Sequence, residues 1–152
     1  QDFRLIPQMN VFENVAFALR VTNVSTKEIK RRVPYVLDLV GLLPKARRFP
    51  EQLSGGEQQI LAIGRALVSN SNLLLMDEPS EGVSTMVLER VRDICSELSE
   101  QGKSILLVEQ NLSLALGIAK KIYILVNGTI VHSAPAEEFA QDHERQALYL
   151  GI

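Results

Sequence analysis

The sequence has no tryptophan, a single cysteine and no large surplus of charge of either sign. One thiol, Cys95, cannot build an internal disulfide framework, and its isolation suits a reducing compartment. The 16 Lys and Arg residues are balanced by 18 Asp and Glu. The clustered basic excess of a nucleic-acid binder is therefore missing, and no nucleic-acid partner is expected. Apolar runs stop at about five residues, against the ~20 that a membrane-spanning helix needs. No basic segment followed by an apolar one opens the chain, so no signal peptide is read there. Internal repeats and low-complexity tracts are also missing. What remains is the composition of a folded domain: 152 residues, 46% hydrophobic and 22% charged, enough for one core and too apolar for disorder. The first residue is Gln rather than Met, and the chain is expected to be a piece of a longer one.

The patterning changes character near residue 55. Before it, residues 1–10 read as a loop and 11–21 as a short helix with Val15, Ala16 and Leu19 on one side. Ser25 and Glu28 have capping-box spacing. The helix behind them places Ile29, Val33, Val36, Leu37 and Val40 on one stripe, with Pro34 as a candidate kink. After it, residues 56–69 read as a helix and Leu73 to Met76 as a strand covered on both faces. Residues 85–101 read as an amphipathic helix with Val87, Val91, Ile94, Cys95 and Leu98 inward. Ile105 to Val108 read as a second buried strand, and 112–120 as a helix. Asn127-Gly128 between two apolar runs predicts a hairpin, because Asn-Gly suits a type I′ turn. One or two short helices close the chain over 135–149. Strands alternating with helices predict an α/β fold with a parallel sheet, preceded by a helical unit.

Two constellations carry chemistry. In the first, the strand Leu73 to Met76 ends in Asp77, Glu78 and Pro79. Adjacent strand residues point to opposite faces, so the two acids do different work. Asp77 suits Mg²⁺, which takes oxygen ligands, and Glu78 suits the orientation or deprotonation of a water. A solvated strand end that caps the next helix is the plainer alternative. In the second, Leu53-Ser54-Gly55-Gly56-Glu57-Gln58-Gln59 opens a helix. Two glycines allow close approach of a phosphate, and helix N-terminal N–H groups favour an anion. An ordinary Ser-capped helix after a glycine turn is the alternative here.

At their observed spacing the two constellations resemble the signature and Walker B motifs of ATP-binding-cassette (ABC) ATPases. The likeness extends over essentially the whole chain: residues 10–52 match that family's helical subdomain, Ser80 to Ser84 its D-loop, and Glu109-Gln110-Asn111 its switch region. It implies a partial P-loop NTPase (RecA-like) parallel sheet with an α-helical subdomain, divided as 1–52 and 53–152. It also implies roles. Glu78 activates water, Asp77 positions Mg²⁺, Gln1 senses the metal or the water, and Gln110 senses the γ-phosphate. Leu53, Ser54, Gly55, Gly56, Glu57 and Gln58 contact ATP held by the opposite subunit of a head-to-tail dimer. A membrane-spanning transporter subunit docks through residues 1–50, and the protein lies in the cytoplasm, peripheral to the inner face of the cell membrane. Within the family, residues 1–52 resemble the cell-division ATPase and residues 60–152 the branched-chain amino-acid importer ATPase. A recombinant, an engineered chimera and an unusual family member all fit that division.

The chain also departs from the family pattern. Gln110 stands where His is usual, and an amide cannot become cationic. Ser84 replaces the usual D-loop Asp. His132 and His143 lie too far along the chain to substitute, and read as surface residues. No Walker A loop is present. Gly102-Lys103-Ser104 imitates its end, but residue 97 is Glu, and the triplet follows a helix and precedes a strand, the reverse of the needed order. Gly102 reads as a helix C-cap. Two functions are expected from this set. The first is the C-terminal portion of an ABC-type ATPase, coupled to a membrane complex and inactive alone for want of the phosphate-cradling loop. The second is a non-catalytic docking module for a membrane subunit or a complete ABC ATPase.

Overall fold

The structure, a computed structural model, describes residues 5–151. A loop leads into α1 (Val11–Arg20) and α2 (Thr26–Leu39). Two 3₁₀ turns (Leu43–Lys45 and Pro50–Gln52) then lead to α3 (Gly55–Leu67). β1 (Leu73–Asp77), α4 (Thr85–Glu100) and β2 (Ser104–Val108) form a βαβ unit, with the two strands parallel. α5 (Leu112–Ile118), the antiparallel hairpin β3 (Lys121–Val126) and β4 (Thr129–Pro135), α6 (Ala136–Gln141) and α7 (His143–Leu150) complete the chain. The α/β class and the alternation of elements are as expected. Strand pairing among the described residues forms two separate two-stranded sheets.

Local chemistry explains the helix starts. Asn10 and Glu13 form a reciprocal capping box at α1, and Ser54 and Glu57 do the same at α3. At α2 only half the expected box forms: Ser25 accepts from the Glu28 N–H, and the Glu28 carboxylate accepts from Arg31 and Arg32. α2 runs through Pro34 to Leu39. Asn127 and Gly128 both have positive φ, +48° and +78°, as a type I′ hairpin turn requires.

The main core joins the early helices to the βαβ unit. Val11, Val15, Val33, Leu37, Leu61, Val91 and Ile94 are all buried in one cluster. Gly64 lets α3 approach Val36 and Val40 of α2 closely. Cys95 sits in this core, and burial pushes its thiol up to about 11, so it packs as a small hydrophobe. A smaller cluster around Phe139, Ile122 and Ile124 holds the hairpin to α6.

Three expectations are corrected. The strand read as covered on both faces is covered on one: Leu74 and Met76 are buried, while Leu73 and Leu75 are 51% and 65% exposed. β2, read as a second buried strand, is likewise open on that side, with Leu106 and Val108 56% and 53% exposed. His132 is half-buried rather than a plain surface residue. β4 extends to Pro135, and the His132 ring lies 5.9 Å from those of both Phe139 and Tyr149.

Asn14 pins the entry loop to α1. Fully buried, it accepts from the Ile6 N–H at 2.8 Å and donates to the carbonyls of Ile6, Met9 and Asn10. Asn14→Ala leaves a backbone donor and several acceptors without that partner. Chemical denaturation is expected to show a loss of about 3 kcal/mol. A loss below about 1 kcal/mol would show that water replaces the amide.

Candidate functional site

The parallel register Leu73↔Ser104 to Asp77↔Val108 ends β1 and β2 at the same edge. Asp77 is the last residue of β1, and Glu78 follows it there. The Glu78 N–H donates to the Val108 carbonyl at 2.8 Å, extending the ladder by one bond. Glu78 then turns with φ +47°, a left-handed conformation rare for Glu and unfavourable before Pro79. The turn directs its carboxylate to the loop after β2, where the Gln110 side-chain amide donates to it. Two predicted site residues, distant in sequence, are thus in direct contact. Asp77, exposed beside them, completes an acidic edge at the C-terminal end of the strands, where α/β sheets bind ligands.

An open groove of about 490 Å³ runs from this edge along α3, lined by Asp77, Glu78, Pro79 and, from α3, Gln59, Ile63 and Ala66. Among the described residues no group of three or more His, Cys, Asp and Glu gathers into a metal cage. The single carboxylate of Asp77 instead suits Mg²⁺ held jointly with substrate phosphates and water.

The N-terminus of α3 carries the other predicted set. Leu53 is buried and anchors the turn, while Ser54 and Gly55 face solvent. The Ser54 hydroxyl accepts from the Glu57 N–H at 3.3 Å, and the Glu57 carboxylate accepts from the Ser54 N–H at 3.0 Å. Gln58 turns back to the carbonyls of Pro50 and Leu53. The two glycines differ in kind. A Cβ on Gly56 would run into the Val87 side chain of α4, so packing alone requires glycine there. A Cβ on Gly55 would meet nothing described within 4 Å, and its backbone φ is not positive. Its missing side chain leaves room for a group from outside the chain. Gln1 lies outside the described residues.

The phosphate-loop imitation has a structural use. Gly102, at φ +77°, follows the C-cap of α4, with its N–H to the Ser99 carbonyl and the Lys103 N–H to that of Leu98. This is a Schellman ending. The Lys103 ammonium donates to Asn70 and to the Ser71 carbonyl, securing the turn before β1.

Three contacts escaped the sequence reading. Lys45 pairs with Glu57, tying the basic turn to the α3 cap. Gln59, buried on α3, donates to the Pro79 carbonyl. Glu109 accepts from Ser80 and Asn111. A buried glutamine on an otherwise apolar helix face was the available signal for Gln59. Spacing carried none for the other two, because loop folding creates them.

The ABC transporter family profile matches residues 1–81. The cell division ATP-binding protein FtsE of Streptococcus pneumoniae (serotype 2, strain D39) is 37% identical over 142 residues, 93% of this chain and 62% of that protein. The glutamine transport ATP-binding protein GlnQ of Geobacillus stearothermophilus is 33% identical over 153 residues, 99% of this chain and 63% of that protein. Among solved structures, a dimeric post-hydrolysis state of the ATP-binding cassette MJ0796 bound to ADP and Pi superposes with a TM-score of 0.78 at 29% identity. It covers 90% of this chain and 60% of that one. The chain thus spans about three-fifths of the length of these relatives.

The Lys45 ammonium, and next the Ser54 N–H, hold the Glu57 carboxyl below its ordinary value. A lowered folded value contributes stability that is full above the unfolded carboxylate value of about 4.3 and disappears as pH falls through the folded one. Glu57→Gln keeps the cap geometry and removes the ion pair. The wild type is expected to be more stable at neutral pH by no more than about 1 kcal/mol, because the pair is largely solvated. Urea titrations should show that gap closing as pH falls from 6 towards 3. A gap that widens on acidification would contradict the assignment.

Proposed function

The chain belongs to the ABC transporter family of ATP-binding proteins, and from that membership we propose that it works as a partial ATPase module of a membrane-associated complex. The observation that carries this reading is the convergence of Asp77, Glu78 and Gln110 at one sheet edge, with the Glu78 carboxylate already engaged by the Gln110 amide. In the proposed reaction a water attacks the γ-phosphorus of ATP, the bond to the β-phosphate breaks, and ADP and phosphate leave. Glu78 accepts the water's proton, and Gln110 orients the Glu78 carboxylate beside the γ-phosphate. Asp77 would hold Mg²⁺, whose contribution when bound is to neutralise phosphate charge. Positioning and charge stabilisation do most of the work in phosphoryl transfer, so a fixed carboxylate–amide pair is the useful feature.

The second half of the proposal concerns the α3 N-terminus. Ser54, Gly55 and Gly56 would meet the γ-phosphate of ATP held by an opposing ATPase subunit, with Leu53 and Gln58 supporting the turn and Glu57 completing the cap. The open space at Gly55 supports this, since nothing described in the chain requires glycine there. Residues 1–50 would receive the membrane subunit, residues 1–52 and 53–152 forming the helical and core parts. Among the described residues no helix is long and apolar enough to cross a membrane. Lys103 is committed to the β1 turn, and no other lysine lies in a phosphate-loop context. Alone, the chain therefore favours docking over turnover, the second reading of its role.

ATP-dependent association tests the proposal. The chain is mixed with a complete cassette ATPase, with and without ATP, and followed by sedimentation velocity. Association is expected only with ATP, and Gly55→Glu should weaken it at least about tenfold by placing a carboxylate against the phosphate. Unchanged association would rule out docking through this turn.

A further inference from the structure

Glu78 holds an unfavourable backbone conformation, and such a residue persists only where its surroundings over-determine it. The restraints are on either side. Before it, its own N–H is fixed to Val108. After it, the Pro79 carbonyl accepts from Gln59 and the Glu81 N–H returns to the Glu78 carbonyl at 3.1 Å. Ser80 is gripped twice by one side chain: the Glu109 carboxylate accepts from its N–H at 2.8 Å and from its hydroxyl at 2.7 Å. The same carboxylate accepts from the Asn111 N–H at 3.1 Å. Asn111 in turn caps α5, accepting from the Leu114 N–H at 3.0 Å.

One carboxylate therefore joins the loop after β1 to the loop after β2. On the first loop it fixes the residue two places beyond Glu78. On the second it fixes the residues on both sides of Gln110, since Glu109 and Asn111 flank it. We infer that Glu109 is a positioning residue, whose three-donor clamp on Ser80 and Asn111 holds the Glu78 carboxylate against the Gln110 amide. The inference rests on the ATPase reading for its purpose, but its geometry is independent of nucleotide. It also separates the acids of this edge. Glu109 is engaged by three donors, a charge-assisted set that fixes it in place. Glu78 meets one described side-chain donor and lines the groove.

Glutamine at 109 would keep one acceptor oxygen and turn an NH₂ group towards donors, so the clamp cannot be rebuilt isosterically. NMR of the 152-residue chain without nucleotide reads the consequence. In the wild type an NOE is expected between the Gln110 side-chain amide protons and Glu78 Hγ, with slowed exchange of the bonded amide proton. Glu109→Gln should abolish the NOE and speed that exchange by about tenfold, while the Ile94 and Leu98 methyl signals stay in place. Asn14→Ala, which weakens the fold elsewhere, should leave the NOE intact, separating positioning from general loss of stability. Should Glu109→Gln fail to fold, Ser80→Ala decides: it removes only the hydroxyl contact and should weaken the NOE. Persistence of the wild-type NOE and exchange in a folded Glu109→Gln or Ser80→Ala protein would overturn the inference. Unchanged association of Gly55→Glu would instead count against the ATPase reading and leave this result standing.

Discussion

Five residues of β1 lie against five of β2 in parallel register, and the functional edge depends on that pairing. Both strands end together, so the loops that leave them start side by side. Glu78 and Ser80 on one loop therefore meet Gln110 and Glu109 on the other. A slip of one residue would turn Asp77 to the opposite face and separate Glu78 from Gln110. The register is supported from below by the Ser104 N–H on the Asn72 carbonyl and by Lys103 on Asn70 and Ser71. It is closed above by the Glu78 bond to Val108. The lysine that imitates a phosphate binder thus serves the opposite end of the same strands.

The helices before β1 bring the α3 turn into this frame. The Arg90 guanidinium of α4 donates to the Leu39 carbonyl at the end of α2 and lies against Gly41. Gly56 lets the first turn of α3 rest on Val87. Lys45 reaches the capping carboxylate of the same turn. The α3 N-terminus is therefore held from α4 and from the basic turn, and Gln59, one turn along, touches Pro79 beside Glu78. About one turn of α3 separates the glycine turn from the Gln59 contact with the acidic edge. This spacing fits a module in which phosphate contact at one end must keep register with water activation at the other.

Much of this was legible in the sequence because it rests on local rules. The Ser cap of α3, the Asn-Gly hairpin, the glycine ending of α4 and the acidic strand end each follow from a few adjacent residues. The roles expected of Asp77, Glu78 and Gln110 are those the family resemblance implies, and the structure brings Glu78 and Gln110 into contact. Burial was less legible. Leu73 to Met76 is apolar throughout, and periodicity cannot say which face is covered when both alternatives are apolar. His132 was misread for a related reason: the reach of β4 beyond Val131 decides its partners, and the polar Ser133 next to it gives no strand signal. The Glu109 and Gln59 contacts join residues 29 and 20 apart, so they exist only once the loops are folded.

Covalent mapping of the γ-phosphate tests the central claim most directly. A photoreactive ATP derivative carrying its label on the γ-phosphate is irradiated with the chain and a complete cassette ATPase, and the labelled peptides are read by mass spectrometry. Label on residues 54–57 of this chain, present only when the second ATPase is there, is the predicted result. Label on 102–104, or equal labelling by the chain alone, would contradict it.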